Sequence, residues 1–418
     1  MPFQGARNNH DDKWRKYECE YDHHECDGCL NRHSWHTPYS CTLFSVVYGF
    51  CEHINNIYCF YTFFFYTFLL RAFPNISVIW LRLLLLSMSE GSINSNNSNN
   101  SSNLANNCGS FKDCSLFQLH NTVYRDVDCA ADSATSSDVT PIVLIHGFPV
   151  DHRMWDACAS ALNSQIDAAL ESGLLKHDVP IFAPDMVGAG LSETPKAESA
   201  ESAESAEFNE ADYAHALDAL TASYIKLVSD LGYDRAVWVG LSMGGYVALD
   251  VQRLIPKAVA GIALCDTRAC VDAPAARAKR LDIAEICERD HTVEPVMHFA
   301  HATEKDSTVK QSPEFIHTFE DWIHDQKPEG LAWRQRMAAC RPDMEDQLPL
   351  ITAPAAIISG TLDPSSAPEV MRPMADAMTA SKHVDFTIIE DCGHFSATEH
   401  PYEVAEALVT LLSQVQRG

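Results

Sequence analysis

The sequence predicts an α/β protein, a mostly parallel sheet of about eight strands flanked by helices and carrying a separate helical insertion. From about Leu116 onward, short apolar runs rich in β-formers alternate with longer stretches of helical periodicity, the pattern of a parallel sheet covered on both faces. Most of those runs lack a polar alternation, as strands buried on both sides do. The composition supports a core of that size: 418 residues, 46% hydrophobic, 9% aromatic and 21% charged, near the average for globular proteins.

In chain order, residues 1–115 read as a poorly organised extension. A His/Cys/Asp-rich stretch leads into an aromatic and aliphatic one over 57–86, then into an Asn/Ser tract over 92–107 that cannot bury a core. Cys26-x-x-Cys29 with His33 and His36 has the residue types of a zinc site. The spacings are compressed and no strand–helix pattern surrounds them, so an incidental cluster is expected and no metal. The apolar run over 57–70 is followed by Arg71, Pro74 and Arg82, which interrupt the roughly twenty residues a bilayer span needs. It also starts too far from Met1 for a signal peptide. The expectation is a cytoplasmic protein, with anchoring through 57–86 as the alternative. Met88-Ser89-Glu90-Gly91 opens a polar tail directly before the organised body, which predicts that translation starts at Met88. Peptides from residues 13–80 in the native protein's mass spectrum would overturn that start.

The body, 116–418, opens with runs at 116–120 and 123–127 separated by Asn121-Thr122, predicted as an antiparallel hairpin. Strands follow at 142–145, 181–183, 236–239, 259–264, 355–359 and 386–389. Helices are predicted at 155–170, 213–231, 243–254, 367–379 and 402–416. Two insertions break the rhythm. Residues 197–207 repeat Glu-Ser-Ala and carry only negative charge, as a solvated loop does. Residues from about 273 to 340 show helical periodicity without strands and include Met297, Phe299, Phe319, Trp322, Trp333 and Met337, which predicts a helical cap over the sheet.

Charge narrows the partners. With 30 Lys+Arg against 57 Asp+Glu the formal net charge is −27, which repels phosphate backbones and anionic membranes and leaves small molecules as the expected ligands. Of the 15 cysteines, six fall within the first sixty residues and the rest are scattered. The later ones are expected to be reduced and mostly buried.

The chemistry concentrates after the run at 236–239, where Gly240-Leu241-Ser242-Met243-Gly244-Gly245 leads straight into a helix. Gly-x-Ser-x-Gly between strand and helix strains the serine backbone so that its hydroxyl projects, and side chains on Gly240 or Gly244 would collide with neighbouring backbone. A serine hydroxyl needs an imidazole to take its proton and an acid to orient that imidazole. Asp363 stands just beyond the strand at 355–359, and His394 on the loop after the strand at 386–389, so both reach the carboxyl rim of the sheet. Asp266, also after a strand, is a rival acid, and Asp391 a weaker one. Backbone N–H groups of Met243, at a helix N-terminus, and of Phe148, in His146-Gly147-Phe148-Pro149, are the candidate oxyanion donors. His146 is expected to structure its loop rather than carry protons, while His152 and Trp155 either line the pocket or pack.

These motifs together resemble the α/β-hydrolase fold across roughly 117–418. The resemblance is carried by His146-Gly147-Phe148-Pro149 with Asp151-His152-Arg153-Met154-Trp155, by Asp185-Met186-Val187-Gly188-Ala189-Gly190-Leu191-Ser192, by the elbow, and by Gly393-His394-Phe395 with His400-Pro401. Leu264-Cys265-Asp266-Thr267-Arg268-Ala269, the helical insertion and Arg341-Pro342-Asp343 are similar to bacterial enol-lactone hydrolases and carboxylesterases. Val187 stands where the family usually carries a basic or bulky residue, and Ala189 where it carries an aromatic residue or His. The resemblance implies an esterase or lactonase without metal or organic cofactor. A serine at the elbow weighs against haloalkane dehalogenases and epoxide hydrolases, which place an aspartate there. Perhydrolysis or C–C hydrolysis on the same residues, and a non-catalytic ligand binder of the same fold, are the rivals.

Overall fold

The computed structural model describes residues 116–127, 139–195 and 209–418. The Cys26/His36 cluster, the 57–86 apolar stretch, Met88 and the acidic 197–207 repeat lie outside the described residues. Seven strands form the sheet: β1 (Asn121–Arg125), β2 (Ile142–Ile145), β3 (Ile181–Pro184), β4 (Ala236–Leu241), β5 (Val259–Cys265), β6 (Ala355–Gly360) and β7 (Val384–Ile389). Their spatial order is β1-β3-β2-β4-β5-β6-β7. β1 is antiparallel to β3, and every other pair is parallel. Residues of β2 to β6 are buried throughout, whereas β7, at the sheet edge, is mostly half-buried.

The predicted opening hairpin does not form, and among the described residues the sheet has seven strands where about eight were expected. Asn121 and Thr122, expected as the turn, lie inside β1 and register with Pro184 and Ala183 of β3. Residues 116–120 cross the edge instead: Phe117 N–H donates to the Ser223 hydroxyl (2.9 Å), and the His120 carbonyl accepts from Asp185 N–H (2.9 Å). An edge strand finds its ladder wherever an open neighbour lies, and here β3 offered one that a two-residue turn signal could not reveal.

Helices α1 (Asp156–Glu171), α2 (Ala216–Asp230) and α3 (Met243–Leu254) connect the first strands. Five helical segments separate β5 from β6: α4 (Pro274–Asp290), a 3-10 turn (Glu294–Phe299), α5 (Pro313–His324), α6 (Pro328–Ala339) and a second 3-10 turn (Glu345–Leu350). Proline at the first turn of α4, α5 and α6 suits the start of a helix, where its missing N–H costs no hydrogen bond. Helices α7 (Pro368–Ala377), the one-turn α8 (Ser396–Glu399) and α9 (Pro401–Val415) complete the chain. α9 packs on α1 and against β5 and β6, while α3 packs on α2 and against β4 and β5.

The topology places the site. From β2 the chain goes to β3 on one side and then returns to β4 on the other, so the loops after β2 and β4 diverge at their carboxyl ends. A crevice opens at such a switch point. The six described cysteines, Cys158, Cys265, Cys270, Cys287, Cys340 and Cys392, are free, and four of them are buried. No helix among the described residues is long and apolar enough to cross a membrane.

Candidate active site

Between β4 and α3 the chain turns so tightly that Ser242 adopts φ 53° and ψ −113°. That backbone region is strained for an L-residue. It is held by the Ser242 N–H donating to the Cys265 carbonyl (2.9 Å) and by the Ser242 carbonyl accepting from Gly245 N–H (3.0 Å) and the Thr267 hydroxyl (2.6 Å). A Cβ on Gly240 would overlap the Gly244 carbonyl oxygen, and one on Gly244 the carbonyl oxygen of Ile145. Glycine at both positions is what allows the turn to sit against its own helix and against β2.

The Ser242 Oγ lies 2.8 Å from Nε2 of His394, and Nδ1 of His394 lies 2.8 Å from Oδ2 of Asp363. An ionised carboxylate only accepts, so the ring proton belongs on Nδ1 and Nε2 is left to accept from the serine hydroxyl. The other Asp363 oxygen accepts from the N–H (2.8 Å) and hydroxyl (2.9 Å) of Ser365. Burial by itself lowers the pKa of His394, but the carboxylates of Asp363, Asp266 and Glu399 outweigh it and hold the imidazole above its ordinary 6.5. Burial pushes the Asp363 carboxyl up, and the facing imidazole and backbone N–H donors outweigh it, so its pKa lies below the ordinary carboxylate value.

Asp266, the rival acid, occupies a different place. It ends β5 in left-handed backbone (φ 45°) and is fully buried. Its two oxygens accept from Gly360 N–H (3.2 Å), at the end of β6, and Ser396 N–H (3.1 Å), at the start of α8, beside the loops that carry Asp363 and His394. Burial first, and the Asp363 charge second, push its carboxyl up to about 8. Asp391 is exposed and accepts from Thr308 N–H (2.9 Å).

The loop after β2 packs on the elbow: a Cβ on Gly147 would stand 3.4 Å from the Ser242 Cβ. Phe148 is buried at its centre. His146, wholly buried, accepts Met186 N–H at Nε2 (2.8 Å), which leaves its proton on Nδ1, 2.9 Å from the Gly147 carbonyl. Burial pushes its pKa down to about 4, so it is a neutral fastener of the loop. Met243 is the first residue of α3, where a backbone N–H has no intrahelical acceptor. Trp155 is buried in the core.

The helical insertion reaches this rim at several points. Phe299 meets Phe148 (centroids 5.9 Å) and Phe395 (6.3 Å) edge-on. Arg334 of α6 is fully buried, and its guanidinium donates to the carbonyls of Val150 (2.9 Å) and Pro149 (3.4 Å) and to Gln326 Oε1 (3.0 Å) while lying over the Phe148 ring. Val187 and Ala189, the two departures from the usual loop, are buried beside Gly188, against which Gly330 of α6 packs.

His120, His152 and Asp185 form the one described group with metal-ligand residue types close together. Asp185 Oδ1 accepts from the N–H (3.0 Å) and Nδ1 (2.7 Å) of His152, and Oδ2 from Leu191 N–H (3.1 Å) and His120 Nδ1 (3.3 Å). Four donors occupy the roughly four lone-pair sites of a carboxylate. The group is a hydrogen-bonded brace between the 116–120 segment and the loops after β2 and β3.

Glu399, Ser307 and Arg334 escaped the sequence reading. No residue type in the chemistry sought singles them out: the partners of Ser307 and Arg334 come from far along the chain, and Glu399 acts on backbone beside His394 rather than on the imidazole.

Fold and site define a class: an α/β protein presenting serine, histidine and aspartate at the carboxyl rim of a parallel sheet. Residues 142–407 match the alpha/beta hydrolase family, more than half the chain, and the chain belongs to that family of hydrolase enzymes. Among curated proteins it is similar to epoxide hydrolase A of Mycobacterium tuberculosis, 31% identical over 122 residues, 29% of this chain and 30% of that protein. The match therefore spans less than a third of that relative's length. Among solved structures it resembles a thermophilic esterase from Thermogutta terrifontis, determined with malate bound (TM-score 0.56, 28% identity, 72% of this chain and 94% of that one). It also resembles the enol-lactonase of Burkholderia xenovorans LB400 (TM-score 0.54, 20% identity, 71% and 97%), a likeness of fold.

Proposed function

We propose that the protein hydrolyses small or medium carboxylic esters or lactones through an acyl-enzyme on Ser242. The observation that carries this reading is the continuous hydrogen-bonded chain from the Ser242 hydroxyl through His394 to Asp363. Ser242 Oγ attacks the acyl carbon as its proton passes to Nε2 of His394, and Asp363 stabilises the imidazolium. The developing oxyanion is taken by the N–H groups of Phe148 and Met243, the second at the positive end of α3. His394 returns the proton to the leaving alkoxide. Water then attacks the acyl-enzyme with His394 as base, releasing the acid and restoring Ser242.

The helical insertion acts as a cap, and the aromatic rings of Phe148, Phe299 and Phe395 give the acyl side an apolar wall. An uncharged acyl group suits that wall. The similarity to a solved esterase at 28% identity over 94% of its length supports the ester reading. The serine at the elbow separates this site from epoxide-opening chemistry, which in fold relatives uses an aspartate there.

A serine-directed phosphonate tests the reading. Covalent labelling of the wild type, absence of labelling in Ser242→Ala, and turnover of short acyl esters or lactones are expected. A folded wild type that neither labels nor turns over esters overturns it in favour of a ligand-binding role.

A further inference from the structure

Glu399 is a nearly buried carboxylate (4% exposed) with no task in the proton transfers above. Its oxygens accept from the N–H groups of Gly393 (2.7 Å) and Phe395 (3.0 Å), the residues on either side of His394. One carboxylate therefore brackets the histidine's backbone. A third donor comes from far away: the hydroxyl of Ser307, fully buried in the helical insertion, donates to the same Oε2. Ser307 Oγ in turn accepts Lys310 N–H (3.0 Å), and the neighbouring Thr308 N–H is held by Asp391 (2.9 Å). The segment 306–310 is thus fastened to the histidine loop at two adjacent points.

We propose that Glu399 is a positioning residue for His394, and that Ser307 transmits the placement of the helical insertion to the imidazole through it. The proposal rests on the reading of His394 as the base. A carboxylate is suited to the task because only an acceptor-only group can satisfy two backbone N–H donors and a hydroxyl at once. It also adds a fixed negative charge. The acidic groups near the imidazole are Asp363 from the loop after β6, Glu399 from α8 and Asp266 just after β5, whose own carboxyl is pushed up by burial. Of the other titratable groups on the loop, Glu390 and Asp391 are exposed, and the Cys392 thiol is held far above its ordinary pKa by burial and by the neighbouring acidic groups, so it stays neutral. Contact between a bound acyl group and the insertion would in this way be felt at the reacting nitrogen, although Ser307 never touches substrate.

Full-length Glu399→Gln and Ser307→Ala, with Ser242→Ala as reference, test the proposal by kcat, KM and the pH profile of kcat/KM on a short acyl ester. Gln places N–H donors against N–H donors. Glu399→Gln is expected to lower kcat about 10- to 100-fold with KM within about twofold, the signature of a misplaced base. It should also move the acid limb of the profile to lower pH. Ser307→Ala keeps the carboxylate and is expected to lower kcat severalfold at unchanged KM. An unchanged kcat and acid limb in folded Glu399→Gln overturns the proposal. If that variant does not fold, an unchanged kcat in Ser307→Ala overturns it. A wild type that turns over no ester and does not label with phosphonate condemns instead the reading of the site, which the wild type alone reveals.

Discussion

The rim of the sheet carries Ser242, Asp363 and His394, and the helical insertion meets residues beside them, yet the two contribute by different means. At the rim, Ser242, Asp363 and His394 each sit within a few residues of a strand end, and their neighbours are backbone groups fixed by the parallel ladder. In the insertion, Arg334, Ser307 and Phe299 sit on or between helices and reach the rim with long or buried side chains that grip loop carbonyls, a carboxylate and aromatic rings. The ladder tolerates little movement, because shifting one strand end breaks several bonds at once. Packed helices slide more readily. On the proposed mechanism bond making belongs to the rim and adjustment to the insertion, so substitutions are expected to fall in two tiers.

The largest effect is expected at the rim. Ser242→Ala should lower kcat about 10⁵- to 10⁶-fold while leaving the unfolding midpoint in urea near that of the wild type, since only a hydroxyl is lost. Next is Asp363→Asn, expected to cost about 10⁴-fold in kcat because the amide favours the wrong imidazole tautomer. Asp266→Asn should cost about tenfold or less, since Asp266 bonds to backbone rather than to the imidazole. Steady-state kinetics of the pair decides the acid, and the reverse order would transfer that role to Asp266.

In the second tier, Arg334→Met leaves the carbonyls of Pro149 and Val150 without their buried donor. A loss of about 2–4 kcal/mol in urea unfolding is expected, with kcat about tenfold lower as the Phe148 loop loosens. A loss of kcat as large as that of Ser242→Ala would erase the distinction between rim and insertion.

The smallest signal is in the pH profile. On the proposed mechanism His394 must be unprotonated to accept the serine proton, and its pKa is raised by nearby acidic groups. Activity should therefore be full at high pH and fall as pH drops through a midpoint above 6.5, the ordinary histidine value. Removing the Asp363 charge in Asp363→Asn should move that midpoint down, measurable as the acid limb of residual kcat/KM. An acid limb that stays in place would remove the carboxylates from the base's environment.

How much could be read in advance follows the same division. Ser242, Gly240 and Gly244 were legible because a steric demand on a short turn writes itself into consecutive residues. Asp363 and His394 were legible because each follows a recognisable strand, and the structure brings both within hydrogen-bond distance of their partners. The choice between Asp363 and Asp266 was open in the sequence, since both follow strands and β5 and β6 are neighbours. What separates them spatially is the direction each carboxylate takes. The hairpin at 116–127 failed for a related reason: a turn signal is local, while the open edge of β3 that captured β1 is not.

By itself the sequence determined the α/β class, the parallel core, the strained turn under Ser242 and the place of the rim residues at strand ends, because each follows from periodicity or sterics within a few consecutive residues. Tertiary structure alone decided that Asp363 rather than Asp266 faces the imidazole and that Ser307 and Arg334 tie the insertion to the rim. The ties from Ser307 and Arg334 join residues 92 to 185 positions apart. A hydrogen bond over such a separation depends on how whole elements dock, and single polar residues in a helix carry no local mark of the partner they will meet.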